Sequence, residues 1–414
     1  MRIVDVSAFY SPAGGGVRTY VEAKLKAAAR FGHEIIVLVP GERDEIEHRG
    51  PGAILARIAS PTLPVDRRYR YFDDQRGLHR ALDHWRPDHV EASSPWSSAT
   101  MVGRWQGAAT RSLVMHADPL AAYAYRWLGG LIPIPTIDRW FGAFWRHMRG
   151  LGRMFDTVVC ANGQLAARLQ AAGVENVETI KMGVEPGRFS PRLRAPALRA
   201  AALASLGLDP DATLLLAMGR FSAEKRWEMV IRAVETCARR HALGLLLIGD
   251  GPRRAKLELM SCRAGAVAVL PRLDDRHEVA RLMASADALV HGCEAETFCL
   301  VAAEARASGT PLIIPDRGAA LDLLAPHAGT TYRAGNEQSL ERAIARFVEG
   351  GVELQRAAAV RASSLRSMDQ HFADLFAHYG AVGPPAFRPV SGGLGVDAAP
   401  VPELALARSV VTRS

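Results

Sequence analysis

Two glutamates eight residues apart, Glu296 and Glu304, enclose the run ETFCLVAAE within the stretch 287–318, DALVHGCEAETFCLVAAEARASGTPLIIPDRG. The pattern predicts a buried strand over 288–290, a turn, a helix over about 297–307, a Ser-Gly stop and a strand over 311–314. Eight residues on a helix are two turns, about 12 Å of axial rise. One carboxylate is then expected to meet the near end of a bound ligand, and the other to reach further along it. The helix N-terminus between them offers free backbone N–H groups and a partial positive charge to an anion. Such an arrangement suits an elongated ligand with a phosphate in its middle.

Three further groups could serve the same ligand. Arg220 and Lys225 follow a predicted strand, in Gly219-Arg-Phe-Ser-Ala-Glu-Lys225. Together they could clamp a diphosphate, the guanidinium as a fork and the ammonium as a point charge. Gly249-Asp250-Gly251-Pro252 permits close backbone approach. His116 ends the apolar run Leu113-Val-Met, at the carboxyl edge of a strand, where open α/β sheets bind ligands. Taken singly, each is about as easily a solvated loop or a structural side chain.

The elements that position these groups repeat a strand–loop–helix rhythm. A strand from Arg2 feeds Ser11-Pro-Ala-Gly-Gly-Gly-Val17, a helical pattern (Tyr20, Val21, Leu25, Ala28) and a strand over 35–39. Gly14, Gly15 and Gly16 let a backbone approach a phosphate or sugar, or simply make a tight turn. As a dinucleotide fingerprint the loop fails, because the second strand closes on Val39-Pro40-Gly41 without an acid for a ribose. Residues 61–71 read as loop, 88–92 and 157–159 as strands, and 190–211 as a linker with a short helix. Units of about thirty residues then restart with strands over 214–218, 245–248 and 267–270. The last amphipathic pattern spans 365–379, and the Pro/Gly/Ala-rich remainder is expected to be a disordered tail.

Composition sets wider bounds. The 414 residues, 49% hydrophobic and 23% charged, are ample for two globular cores. A net charge of +8 permits phosphorylated substrates, an anionic membrane surface or nucleic acid, or reflects nothing but an arginine-rich composition. Dispersed arginines and the lack of a recognised module exclude nucleic acid. Five scattered cysteines without C-x-x-C spacing indicate a reducing compartment, with neither a disulfide nor a zinc framework. No secretory signal pattern opens the sequence and no apolar run reaches membrane-spanning length, so the expected location is the cytoplasm. Segment 120–153 mixes Tyr123, Tyr125, Trp127, Trp140, Phe141, Phe144 and Trp145 with five arginines. It could lie on the anionic inner face of a plasma membrane, line an acceptor groove, or pack its aromatics internally.

Together, in this order, the motifs resemble the retaining nucleotide-sugar glycosyltransferases of family 4, over about residues 1–380. Gly219-Arg220 to Lys225 matches the family's G-R-x-x-x-x-K loop, Gly249 to Pro252 its G-x-G-P turn, and ETFCLVAAEA its E-x7-E signature. The glycine loop, the strand-end His116 and Gly183-Val184-Glu185 to Phe189 complete the match. The resemblance implies an α/β GT-B fold, two doubly wound Rossmann-like domains facing a central cleft. An acceptor-binding domain would span 1–188, with a helix at 365–380 packed back on it. A nucleotide-sugar-binding domain would span 189–364, followed by the tail 381–414.

By that resemblance Arg220, Lys225, Glu296 and His116 carry the catalysis. Donor-binding residues would be Gly15, Gly16, Arg220, Lys225, Gly249, Leu273, Glu296, Phe298, Cys299, Leu300 and Glu304. Glu304 would take the ribose, Glu296 the sugar hydroxyls, the amides of 298–300 would lie beside the sugar, and the segment 270–273 would meet the base. Gly16, Tyr123 and His116 would meet the acceptor. No metal or other cofactor is implied, since cations and helix N–H groups already face the phosphates. The expected reaction is hexosyl transfer with retention, the acceptor hydroxyl attacking from the face of the departing diphosphate. A UDP-sugar is the favoured donor and GDP-mannose the next, with a lipid-linked, glycolipid or polysaccharide-precursor acceptor. A GT-B epimerase and a non-catalytic sugar- or membrane-binding relative are the alternatives. Three positions depart from the family pattern: Cys299 stands for glycine, Leu270-Pro271-Arg272 for an aromatic-x-glycine, and Arg226 for glycine. Cys299 is expected to project a side chain close to the sugar or phosphate.

Overall fold

The computed structural model describes residues 1–10, 15–64, 69–116, 118, 120 and 134–382. Tyr123, Gly14, the first part of segment 120–153 and the tail 383–414 lie outside the described residues. Within them, two mostly parallel sheets are each flanked by helices. The first sheet comprises β1 (Arg2–Val6), β2 (Glu34–Gly41), β3 (Glu45–Gly50), β4 (Ala53–Ala59), β5 (His89–Ala92), β6 (Thr110–Met115), β7 (Thr157–Cys160) and β8 (Val177–Thr179). Its order is β3-β4-β2-β1-β5-β6-β7-β8, with only the β3–β4 pair antiparallel. That hairpin was not legible as strands in the sequence: β3, EIEHRG, is an exposed edge with one apolar residue, Ile46.

The second sheet comprises β9 (Thr213–Met218), β10 (Leu243–Ile248), β11 (Val267–Leu270), β12 (Ala288–Val290), β13 (Leu312–Pro315) and β14 (Gly329–Tyr332). All pairs are parallel, in the order β11-β10-β9-β12-β13-β14. Buried on both faces, its strands read as unbroken apolar runs such as Leu214-Leu-Leu-Ala217. The chain order reverses between β9 and β12, which pair directly through Ala288↔Leu215 and Leu289↔Leu216. That reversal opens a crevice at the carboxyl ends of those two strands. The predicted α/β architecture is therefore present, twice.

The helix Met368–Ala381 closes the fold. Ser367 and Gln370 form a capping box at its start. Its apolar face (Phe372, Leu375, Phe376, Tyr379) is buried against Tyr20, Val21, Leu25 and Val37 of the first domain. Where the chain leaves that domain, Val184 bridges Ser367, and a Cβ on Gly183 would lie 2.2 Å from the Ser367 carbonyl. The crossing segment is thus stitched to the inter-domain exit.

Candidate active site

Both charged loops of the second domain arise at the strand reversal. Arg220 and Lys225 follow β9, while Glu296 follows β12. Gly292 brings the loops together, since a Cβ there would sit 2.3 Å from the Lys225 carbonyl oxygen. Lys225 Nζ donates to Glu296 Oε1. Burial works against the charge on each, yet each partner outweighs it: the Lys225 ammonium is held above its ordinary value and the Glu296 carboxyl below. The pair is therefore fully ionised at neutral pH. Beside it, Arg226 Nη2 donates to Glu294 at 2.7 Å.

Arg220 extends from the same loop. Its carbonyl accepts from Trp227 Nε1 at 2.9 Å, which fixes the turn, while its guanidinium is exposed. It donates to Glu224 at 3.1 Å and to the Tyr69 hydroxyl of the first domain at 3.0 Å. Gly249 and Gly251 support this loop from beneath. A Cβ on Gly249 would fall 1.9 Å from the Gly219 carbonyl oxygen, and one on Gly251 2.7 Å from that of Phe221.

The helix expected from about residue 297 begins at Leu300 and runs to Ala307. Cys299 caps it in the left-handed region, φ 65°. A residue there breaks the helical repeat, so Glu296 lies in the preceding loop and the two-turn spacing to Glu304 does not hold. Nor does the Cys299 side chain project toward a ligand: it is buried, with Sγ 3.5 Å from His291 Nε2. The left-handed backbone turns the side chain inward. Glu304 does lie on the helix, where it accepts from Arg276 Nη2 at 2.5 Å, and burial raises its carboxyl against that partner. Leu273 lies in the loop after β11, half-buried against the second domain's core.

The first domain faces this loop closely. Thr297 Oγ1 donates to the His116 carbonyl at 2.9 Å, and Asn162 Nδ2 donates to the Thr297 carbonyl at 2.6 Å. Phe298 packs against both domains, Leu300 against the first, and a Cβ on Gly16 would lie 3.6 Å from Leu300 Cδ1. Gly15, at φ 104°, turns the chain into the helix Gly16–Phe31. His116 sits just past β6, its ring 4.6 Å from that of Tyr20, its Nε2 out of solvent contact and without a partner among the described residues. Burial lowers its pKa to about 4, so the imidazole is neutral at working pH. It can exchange one hydrogen bond with a ligand but carries no charge there.

The structure thus brings His116, Gly16, Arg220, Lys225, Glu296, Phe298 and Leu300 to one inter-domain cleft. Reading the sequence missed Tyr69, Asn162, Thr297, Arg276 and His291. The last was findable: His291 directly follows β12, the same strand-end logic that selects His116.

Two doubly wound domains with cations and a carboxylate at the crevice of one, facing a histidine of the other, define a two-domain transferase for a phosphate-bearing donor. Comparison with known proteins makes this specific. Glycosyl transferases group 1 matches residues 199–364, and Glycosyltransferase Family 4 matches residues 14–188. A GDP-mannose-dependent alpha-mannosyltransferase of Mycobacterium tuberculosis is 31% identical over 394 residues, covering 92% of this chain and 97% of that one. A GDP-mannose-dependent alpha-(1-6)-phosphatidylinositol dimannoside mannosyltransferase of the same species is 28% identical over 386 residues, with the same coverage. Among solved structures, sucrose-phosphate synthase from Thermosynechococcus elongatus superposes with a TM-score of 0.71 at 18% identity, covering 92% of this chain and all of that one. Anabaena HepE in complex with UDP and glucose gives 0.66 at 16% identity, covering 91% and 100%. The chain belongs to the family 4 glycosyltransferases and has the GT-B fold. It is an enzyme that transfers a sugar from a nucleotide sugar.

Proposed function

We propose that this chain transfers a mannosyl group from GDP-mannose to a hydroxyl of a lipid-linked acceptor, with retention and without a resident metal. The carrying observation is the ionised Lys225–Glu296 pair, set opposite His116 across the cleft by the Thr297 hydrogen bond. The donor reverses the order expected from sequence. The two mycobacterial relatives are named for GDP-mannose, which favours it over a UDP-sugar. One of them is named for a phosphatidylinositol-based acceptor, which favours a lipid-linked one here.

In this reading the diphosphate lies against Arg220 and Lys225, and Glu296 accepts from the sugar hydroxyls. Lys225 then shares its protons between Glu296 and a phosphate oxygen, so positive charge is in place before negative charge develops on the leaving group. Neutral His116 orients the sugar or the incoming hydroxyl. The hydroxyl oxygen bonds to the anomeric carbon on the face from which the diphosphate departs, the bond from carbon to phosphate oxygen breaks, and that oxygen takes the hydroxyl proton. The protein's work is positioning and stabilisation of the leaving group. Glu304 meets the ribose only once Arg276 yields it, so nucleotide binding exchanges one partner for another. Calorimetry with GDP-mannose, UDP-glucose and ADP-glucose tests the assignment. GDP-mannose should bind at least about tenfold tighter than the others, and tighter binding of a UDP-sugar rejects the donor.

A further inference from the structure

Behind Glu296 lies a group of side chains that the transfer reaction does not use. His291 Nε2 is 3.5 Å from Cys299 Sγ and 3.6 Å from Glu296 Oε1, and the three ligand atoms all lie within 4.8 Å of one another. His291 and Cys299 are 1% and 3% exposed, and Glu296 opens on the cleft. His291 Nδ1 has no hydrogen-bond partner among the described residues, and its Nε2 has no oxygen or nitrogen within ordinary hydrogen-bond distance. A buried imidazole whose Nε2 is aimed at a thiol and a carboxylate is an uncommon way to fill a core.

The spacing is that of a metal site. Zinc-class ions bind nitrogen, oxygen and sulfur at about 2.0–2.3 Å in tetrahedral geometry, which sets neighbouring ligands about 3.3–3.7 Å apart. The two measured separations already meet that requirement. We infer that His291, Cys299 and Glu296 form a binding site for a thiophilic divalent cation of the zinc class, with the fourth position open to the cleft. As the metal–sulfur bond forms, the Cys299 thiol loses its proton to solvent. Lys225 must release Glu296, because ammonium and metal compete for one carboxylate. Resting on the donor assignment above, bound metal therefore withdraws Glu296 from the sugar hydroxyls and breaks the Lys225–Glu296 pair that positions the ammonium for the diphosphate. The site is inhibitory, a means of switching transfer off, and no part of catalysis.

Cobalt(II) is the probe, because a thiolate ligand gives it a charge-transfer absorption in the near ultraviolet. The metal-free full-length enzyme titrated with cobalt should develop that band at one equivalent, together with tetrahedral ligand-field bands, and zinc should bleach both. Cys299→Gly, whose glycine suits the positive φ, should lose the charge-transfer band and weaken cobalt at least about 100-fold. Glu296→Gln should weaken binding while keeping the band. Cys262→Ser, which removes the exposed cysteine, should change nothing. No band in the wild type, or a band that survives Cys299→Gly, overturns the site. A separate arm tests the donor reading: saturating GDP-mannose should displace cobalt. A Cys299-dependent band unmoved by GDP-mannose leaves the metal site standing and refutes Glu296 as a sugar contact.

Discussion

Thr297 and His116 are joined across the cleft: the threonine hydroxyl of one domain donates to the histidine carbonyl of the other at 2.9 Å. Thr297 directly follows Glu296, so a single hydrogen bond sets the register between the sugar-side carboxylate and the opposing imidazole. Thr297→Val keeps the shape and removes the donor, leaving a carbonyl unpaired at the interface. A loss of about 1 kcal/mol is expected, seen as about a fivefold fall in kcat/KM with little change in Tm. Values within twofold of wild type mean that the register is set elsewhere.

Lys225 is expected to dominate the electrostatics of departure. Lys225→Ala removes the charge facing the diphosphate and leaves Glu296 without its partner. Steady-state assays should show kcat down about 100- to 1000-fold, the usual effect of losing one preorganised donor. Lys225→Arg should restore little, because a planar fork does not replace a compact ammonium seated on Glu296 Oε1. Full rescue by arginine contradicts the specific Lys225–Glu296 contact.

The helices Ile134–Trp140 and Gly142–Met154 carry an exposed basic and aromatic face. Trp140 is 63% exposed, with Arg139, Arg146 and Arg153 also in solvent, whereas Trp145 is buried. Among the described residues no helix is long and apolar enough to cross a membrane. Surface contact with anionic lipid is therefore the form of membrane binding proposed. Co-sedimentation with phosphatidylglycerol vesicles should weaken about fivefold for each of Arg139→Gln and Arg146→Gln, and further for Trp140→Ala. Equal binding to neutral and anionic vesicles argues against it.

Acid should destabilise the fold well above the carboxylate range. Burial lowers the pKa of His89 to about 3 and those of His291 and His371 to about 4, against 6.5 when unfolded. The unfolded chain therefore binds these protons first. Stability is complete above pH 6.5 and falls as pH drops toward 4, by up to about 1.4 kcal/mol per pH unit for each histidine. Asp5 opposes one of them. Raised to about 6 by burial and by Glu91, it takes its proton in the folded state first and gains stability over part of that window. Urea denaturation at pH 7.5, 6 and 5 should show a steady fall. A flat profile to pH 5 rejects it.

Much of this was legible because the signals are local. Strand–loop–helix rhythm, strand-end position and the spacing of Arg220, Lys225 and Glu296 depend only on near neighbours in the chain. What escaped depends on backbone conformation or on distance in sequence. Cys299 at φ 65° cannot be read from its residue type, yet it moves the helix start by three residues and turns the thiol inward. Thr297 and Asn162 are 135 residues apart, and Tyr69 and Arg220 151 apart, so nothing local announces either contact. The buried Lys24, bound to Asp5 and Glu91, hid for the same reason. Its partners lie 19 and 67 residues away, on two different strands.

Retaining mannosyl transfer is tested most directly by following GDP-mannose labelled with carbon-13 at the anomeric position by NMR, with phosphatidylinositol mannoside in vesicles as acceptor. The account predicts that the α-configured donor signal is replaced by an α-configured glycoside signal, and that Lys225→Ala abolishes the conversion on the same timescale. A β-configured product, or conversion that proceeds unchanged without Lys225, contradicts it.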